Sequence, residues 1–233
     1  MRASRAAGKP ETTFDTPALH GMLVREEARV NPQPAPVCAI LAGINGAGKS
    51  SSADPILRVG MRVPVFVNPD TIARGLNAFD PEGQAAKAGR VVVEHLRALA
   101  KARKSFAFET TLAGRTYATW LRELLDAGYT THMFYYWLDS PDMAVRRVAD
   151  RVRSGGHHIP EETIRRRYSR SVTNFLNLFR PVLTTWQVYD NRATKARMIA
   201  FNNGYFDSIL DPDRWDMFQR SATDDGASDG AGV

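Results

Sequence analysis

Hydrophobic positions along the chain fall into two alternating patterns. Val37 to Ala42 is an unbroken apolar run, the pattern of a strand buried on both faces. Val63 to Val67, Ser105 to Phe108 and Thr130 to Leu138 predict three more strands, and Trp186 to Tyr189 with Met198 to Phe201 two last ones. Between them the spacing turns helical. Ala85, Ala88, Val92, Leu96 and Leu99 make one stripe, Tyr117, Leu121, Leu124 and Leu125 a second, closed by Gly128. Ser140-Pro141-Asp142 starts a helix with Val145, Val148 and Val152 on its apolar face; Gly155-Gly156 ends it. Pro160-Glu161-Glu162 starts the next, carrying Ile164, Tyr168, Val172 and Phe175, and a short helix is expected near Pro212 to Phe218.

Strands alternating with helices predict an α/β fold: a three-layer αβα sandwich around a mainly parallel sheet. The expected domain spans residues 16–220, with no internal repeat. Residues 1–15 are polar and aperiodic and read as a disordered N-terminus, as does the acidic, Gly-rich stretch 221–233. Thr16-Pro17 opens a short amphipathic helix through Leu19, Met22 and Leu23, stopped at Asn31-Pro32.

Gly43-Ile44-Asn45-Gly46-Ala47-Gly48-Lys49-Ser50, followed by Ser51, brings in chemistry. It matches G-x-x-x-x-G-K-[ST] at every fixed position and follows a predicted buried strand. Glycines let the backbone curl so that N–H groups point at phosphate oxygens, and the following helix adds its positive end. Lys49 would bridge the β- and γ-phosphates of ATP, and the Ser50 hydroxyl would ligate Mg²⁺. Asp54-Pro55 should shorten or kink the helix after the loop. No Asn-Lys-x-Asp guanine motif occurs, and a repeat-free chain of 233 residues points away from a transporter or large remodeller and toward a small-molecule kinase.

The carboxyl ends of parallel strands are where ligands bind. Asp70, Glu109 and Asp139 each follow a predicted strand. Asp70 is the candidate base for an acceptor hydroxyl. Glu109, with Thr110 and Thr111, could grip acceptor hydroxyls or support the metal through water, whereas Asp139 is better read as a loop acid before the helix at Ser140.

Net charge is +6, which by itself fits any anionic partner. Its distribution narrows this: eight arginines against four acids lie between Asp142 and Arg170. Two arginine-bearing helices around Gly155-Gly156-His157-His158 predict a helical lid over about residues 147–170, its arginines neutralising a transferring phosphoryl group. About half of these arginines should be solvated faces paired with nearby acids; Arg151 and Arg167 are the candidates for the phosphoryl group. Nucleic acid is not the expected partner, because no recognised module and no aromatic–basic interleaving occur. No apolar run reaches the roughly 20 residues of a membrane span, no apolar stretch follows Arg2 and Arg5 as a secretory leader requires, and the lone Cys38 gives no disulfide framework. A cytoplasmic protein is expected.

These stretches together resemble the zeta toxin family of P-loop kinases: Leu41 to Ser51 (LAGINGAGKSS), Phe66 to Ala73 (FVNPDTIA), Phe108 to Thr116 (FETTLAGRT), Arg151 to Ser171 and Val188-Tyr189-Asp190-Asn191. The match resembles most the short, UDP-N-acetylglucosamine kinase-like branch. The resemblance implies an adenylate-kinase-like P-loop fold and ATP-dependent phosphorylation of the 3′-hydroxyl of a UDP-N-acetyl amino sugar. It implies that Lys49 and Ser50 hold nucleotide and Mg²⁺, that Asp70 is the catalytic acid after the second strand, and that Glu109 and Thr111 bind the acceptor; Arg115, in the same stretch, is grouped with them. Any antitoxin would be a separate protein. A kinase with another small acceptor (nucleotide, NAD or sugar) and a nucleic-acid-stimulated ATPase are the alternatives.

Overall fold

The computed structural model describes residues 34–222 other than residue 157. The expected disordered ends, the helix from Thr16 and His157 lie outside the described residues, save Ser221 and Ala222 at the start of the tail.

Seven strands form one sheet: β1 (Val37–Ala42), β2 (Phe66–Val67), β3 (Phe106–Thr110), β4 (Thr130–Trp137), β5 (Thr185–Asp190), β6 (Arg197–Asn202) and β7 (Asp207–Ile209). Their order is β2-β3-β1-β4-β5-β6-β7. The first five are parallel, and β6 and β7 add antiparallel at one edge. Among the described residues six α-helices flank it: α1 (Pro69–Leu76), α2 (Ala85–Lys101), α3 (Thr116–Asp126), α4 (Pro141–Arg153), α5 (Glu161–Asn174) and α6 (Pro212–Arg220). The αβα sandwich is therefore as expected from the alternating pattern.

β1 explains why the core has two halves. Side chains along a strand alternate between faces. Cys38, Ile40 and Ala42 join Phe106, Phe108 and Tyr135 under α2, α3 and α6. Ala39 and Leu41 join Ala107, Tyr136, Ala144 and Val148 under α4 and α5. A central strand buried on both faces has no room for a polar residue, and β1 has none. Burial also drives the Cys38 thiol pKa far upward, so Cys38 is an inert packing residue. No helix among the described residues is long and apolar enough to cross a membrane.

Three local expectations change, and the broken helix after the phosphate loop is as Asp54-Pro55 predicts. The second strand was expected over residues 63–67, but only Phe66–Val67 pairs with β3. Arg62 takes a left-handed φ of 53°, and Pro64 has no N–H to give a ladder. β3 runs on to Thr110, so Glu109 lies in register beside Leu41 of β1. β7, three residues long at the sheet edge, has no counterpart in the pattern. After the phosphate loop comes a single 3-10 turn (Ser50–Ser52) and then a wide π-type turn (Asp54–Gly60). Pro55, lacking an amide proton, sits at the start of that wide turn, where an α-helix interior would reject it.

Candidate active site

The site lies where β1, β2 and β3 end. Gly43 leaves β1 at φ 128°, and a Cβ there would sit 2.1 Å from the Tyr136 carbonyl oxygen of β4, so only glycine lets the loop cross that strand. Ile44 and Ala47 are fully buried and anchor the loop from below, leaving its backbone as the binding surface; the Ala47 N–H turns back to the Ile44 carbonyl at 3.2 Å. α4 packs on the other side of Gly46, with Arg147 Cβ and Val148 within contact of its Cα hydrogens. Arg147 itself reaches past the loop to the Arg192 carbonyl at 2.9 Å.

Lys49 is only 5% exposed. Its Nζ donates to the Ile44 carbonyl at 2.9 Å and lies 3.5 Å from Glu109 Oε1. Burial pulls its pKa below the ordinary lysine value of 10.5, against the opposing pull of Glu109 and Asp70. Glu109 is the hub of the site. Its Oε2 accepts from the Ser50 hydroxyl at 2.7 Å and from Asn68 Nδ2 at 3.0 Å. Ser51 is exposed beside it.

Asn68 is also the N-cap of α1: its Oδ1 accepts from the amides of Asp70 at 2.8 Å and Thr71 at 3.2 Å. That first turn carries Asp70, whose Oδ2 is 3.8 Å from Arg151 Nη1 of α4. From α5, Arg167 Nη1 donates to Asn45 Oδ1 of the phosphate loop at 3.2 Å. Burial lowers the Arg167 pKa, with Arg166 adding to the effect and Asp70 opposing it.

Asn45, Lys49, Asp70, Glu109, Thr111 and Arg167 share the wall of one open cavity of about 350 Å³. Tyr117, His158, Ile159 and Thr163 complete its far side, and His158 Nδ1 approaches Glu82 Oε2 at 3.5 Å across the mouth. Thr111 belongs to a loop fixed by an unusual residue. Leu112 is buried at φ 56°, held by its own N–H to Thr110 Oγ1 (3.1 Å) and by Asn174 Nδ2 on its carbonyl (2.7 Å).

Not every expected residue comes to the cavity. Arg115 is exposed at the start of α3, outside the cavity wall. Asp139 pairs with Arg192 at 2.9 Å, as a loop acid should. The arginines divide. Arg153 pairs with Asp150, and Arg165 with Asp142 (2.6 Å) and Glu161 (2.8 Å), all on the surface. Arg151 and Arg167 face the site. Gly156 makes the α4 end possible, since a Cβ there would sit 2.5 Å from Arg151 Cγ.

Three asparagines escaped the sequence reading: Asn68, Asn174 and Asn191. Asn191, just past β5, donates from Nδ2 to the Ala47 carbonyl at 2.7 Å. A residue type common in turns gives no signal of such bridging. Only the position of Asn68 before Pro69-Asp70 resembles a helix cap.

The same motifs extend to family level. The model of the family described as Zeta toxin matches residues 22–203. The chain belongs to the zeta toxin family. An uncharacterized protein of Haemophilus influenzae is 29% identical over 128 residues, 54% of this chain and 88% of that protein. Among solved structures, AvrRxo1-ORF1:AvrRxo1-ORF2 with sulphate ions superposes with a TM-score of 0.67 at 13% identity, over 79% of this chain and 64% of that chain. This zeta toxin relative thus spans less than two thirds of that longer chain. A structure from the PezAT chromosomal toxin–antitoxin system of Streptococcus pneumoniae superposes with a TM-score of 0.53 at 14% identity, over 82% and 87% of the two chains. At such identities the likeness is one of fold.

Proposed function

We propose that this zeta toxin family member is an ATP- and Mg²⁺-dependent kinase that phosphorylates a hydroxyl of a small acceptor, a UDP-N-acetyl amino sugar or a molecule like it. One observation carries the reading: the buried lysine of the phosphate loop and the carboxylate of Asp70 line a single cavity, with Glu109 and Thr111 between them. A kinase needs its donor phosphate and acceptor hydroxyl brought together, and most of its catalysis is positioning and charge neutralisation.

In this reading the loop from Gly43 to Ser51 holds the ATP phosphates through its backbone, and Lys49 meets the β- and γ-phosphates. The acceptor hydroxyl lies against Asp70, with Glu109 and Thr111 gripping the rest of the acceptor. Its oxygen attacks the γ-phosphorus, the bond from phosphorus to the β–γ bridging oxygen breaks, ADP leaves, and Asp70 takes the hydroxyl proton. Arg151 and Arg167, from the two helices that form the lid, neutralise charge on the phosphoryl oxygens. The donor set suits magnesium. Ser50 Oγ and Glu109 Oε2 are hard oxygens 2.7 Å apart beside the loop, and magnesium takes one or two protein ligands together with phosphates and water. Bound there, it would neutralise charge on the β- and γ-phosphate oxygens.

Two further parts complete the reading. A free, buried Cys38 without disulfides suits the ATP-rich cytoplasm. AvrRxo1-ORF1 is paired with ORF2 and PezAT is a toxin–antitoxin system, which supports a separate antitoxin for this chain too.

The experiment is a transfer assay with γ-labelled ATP against a panel of UDP-sugars, nucleosides, NAD and simple sugars, run with the wild type and Lys49→Ala. Label should pass to a UDP-N-acetyl amino sugar with the wild type alone. Turnover retained in Lys49→Ala would sink the assignment; label on another acceptor would move only the substrate.

A further inference from the structure

One side chain joins the two halves of the site. Asn68 gives its Nδ2 to Glu109 Oε2 at 3.0 Å and its Oδ1 to the first amides of α1, those of Asp70 and Thr71. Glu109 in turn holds Ser50 at 2.7 Å and faces Lys49 at 3.5 Å. The amide of Asn68 is therefore spent in two directions. One end orients the carboxylate beside the phosphate loop; the other orients the turn that carries Asp70.

An ordinary helix cap needs only the acceptor oxygen. Aspartate or serine would cap α1 as well as asparagine does. What asparagine adds is a donor on the opposite side of the same planar group. That donor meets a carboxylate that already has a hydroxyl and an ammonium for company, so it fills the second acceptor site of Oε2 and fixes the carboxylate's rotation. The sequence places Pro69 directly after Asn68, which holds the residue before it in an extended conformation; Asn68 has φ −113° and ψ 119°. Backbone and cap together leave the amide little freedom to turn away from Glu109.

We infer that Asn68 is a positioning residue that couples the nucleotide and metal subsite (Lys49, Ser50, Glu109) to the acceptor carboxylate Asp70. This deepens the kinase reading and rests on it. Groups that hold the partners of a metal or phosphate ligand typically change affinity or activity by about 10- to 100-fold when removed. The same range applies here, and it should appear in binding before any chemistry.

Asn68→Asp separates the coupling from the cap. It keeps the capping oxygen and so the α1 turn, but it sets a second carboxylate against Glu109. Asn68→Ser keeps the cap and merely loses the reach. Equilibrium titration of the protein with a fluorescent ATP analogue, with magnesium and with EDTA, reads the nucleotide subsite without turnover; thermal melting reads the cap. The expected result is melting close to wild type for both variants, a loss of magnesium-dependent nucleotide affinity of about tenfold or more in Asn68→Asp, and a smaller loss in Asn68→Ser. In the transfer assay, Asn68→Ser should lower kcat, because Glu109 and the nucleotide subsite it orders lose their tie to Asp70, whose turn the serine still caps. If Asn68→Asp melts like the wild type and binds magnesium and nucleotide like the wild type, the coupling is wrong. If the variants melt much earlier and lose affinity equally with magnesium and with EDTA, Asn68 is a cap only and the coupling is again wrong. If the wild type binds no nucleotide at all, the kinase reading itself fails, a result the variants cannot mimic.

Discussion

Asn191 pins the phosphate loop at Ala47. Its Nδ2 donates to the Ala47 carbonyl at 2.7 Å, and the same nitrogen stands 2.5 Å from where a Cβ on Gly48 would be. Gly48 has φ 84°, so a side chain there meets both an unfavourable backbone and an occupied space. Loop shape is thus held by a residue just past β5, 143 positions away from Gly48.

Removing that hold should loosen the loop without unfolding the domain. Asn191→Ala should cost about 1 kcal/mol of stability, the worth of one hydrogen bond, and weaken ATP binding by roughly fivefold. Gly48→Ala should cost more on both counts. In the double variant the contact with Asn191 is gone but the φ strain stays. Its ATP affinity should lie above that of Gly48→Ala alone and below that of Asn191→Ala. Isothermal titration of the four proteins checks this, and strict additivity of the two losses would refute the contact.

Lys49 gives a pH signature. Its folded pKa lies below the unfolded value of 10.5, chiefly because burial disfavours the ammonium form. Activity needs that charge, so the alkaline limb of kcat/KM, which reports the free enzyme, should fall at a pH below 10.5. The sign for stability is opposite. The cost of holding the charge is present below the folded pKa and is relieved as pH rises through it toward 10.5. Lys49→Met should therefore lose transfer by at least about 10²-fold while melting no lower than the wild type near neutral pH. A melting temperature well below wild type would show that the Lys49–Glu109 pair stabilises the fold on balance.

The arginines of α4 and α5 should divide as their contacts do. Arg165 lies on the surface between Asp142 and Glu161, where water screens such pairs and they contribute little. Arg165→Ala should leave both turnover and melting temperature close to wild type. Arg167 reaches the loop through Asn45, and Arg151 stands 3.8 Å from Asp70. Loss of either should reduce kcat by about 10²-fold or more. Steady-state kinetics of the three variants decides, and a comparable defect in Arg165→Ala would mean that the lid works as a whole and not through two residues.

How much of this was readable beforehand follows from the kind of signal each residue carries. β1 and the loop after it were legible because a fully buried strand must be apolar and a loop around phosphate must be glycine-rich; both constraints are local. Ser140 was legible as a cap for the same reason, and it accepts from the Met143 amide at 3.3 Å. β7 was not, because a three-residue edge strand buries too little to need a pattern. The full length of β3 was missed since Glu109 looks like the end of a strand, although it pairs in register beside Leu41. The bridges made by Asn68 and Asn191 depend on partners 41 and 144 residues away, and no local preference encodes such distances. The division of the arginines was foreseen in kind, but which acids they meet is decided only by how α4 and α5 pack.

Below the site, Asp190 at the end of β5 should govern acid stability. It is 3% exposed, and Arg192 meets it with Nε at 3.0 Å and Nη2 at 2.8 Å. Arg214 of α6 binds the same carboxylate, and Arg192 also reaches Asp139. Burial pushes the Asp190 pKa up, but the hydrogen bonds from the two arginines outweigh it and hold the value below the ordinary 3.8. A depressed carboxyl pKa contributes stability that is complete above the unfolded pKa and disappears as pH falls through the folded one. The wild type should thus lose melting temperature steadily below about pH 4. Asn in place of Asp190 leaves two guanidinium groups at a neutral amide. Breaking such a buried pair costs about 3–5 kcal/mol, the lower end applying here because Arg192 and Arg214 are partly exposed and can recruit water. Asp190→Asn should melt well below wild type at pH 7, and the gap should narrow toward pH 3 as the wild type loses what the variant never had. Some acid sensitivity will remain in the variant, since Asp207, paired with Arg180 and Asn202, is also held below its ordinary value. A pH series of thermal melts on both proteins measures the gap, and a constant difference across that range would assign the loss to packing and not to the charge on Asp190.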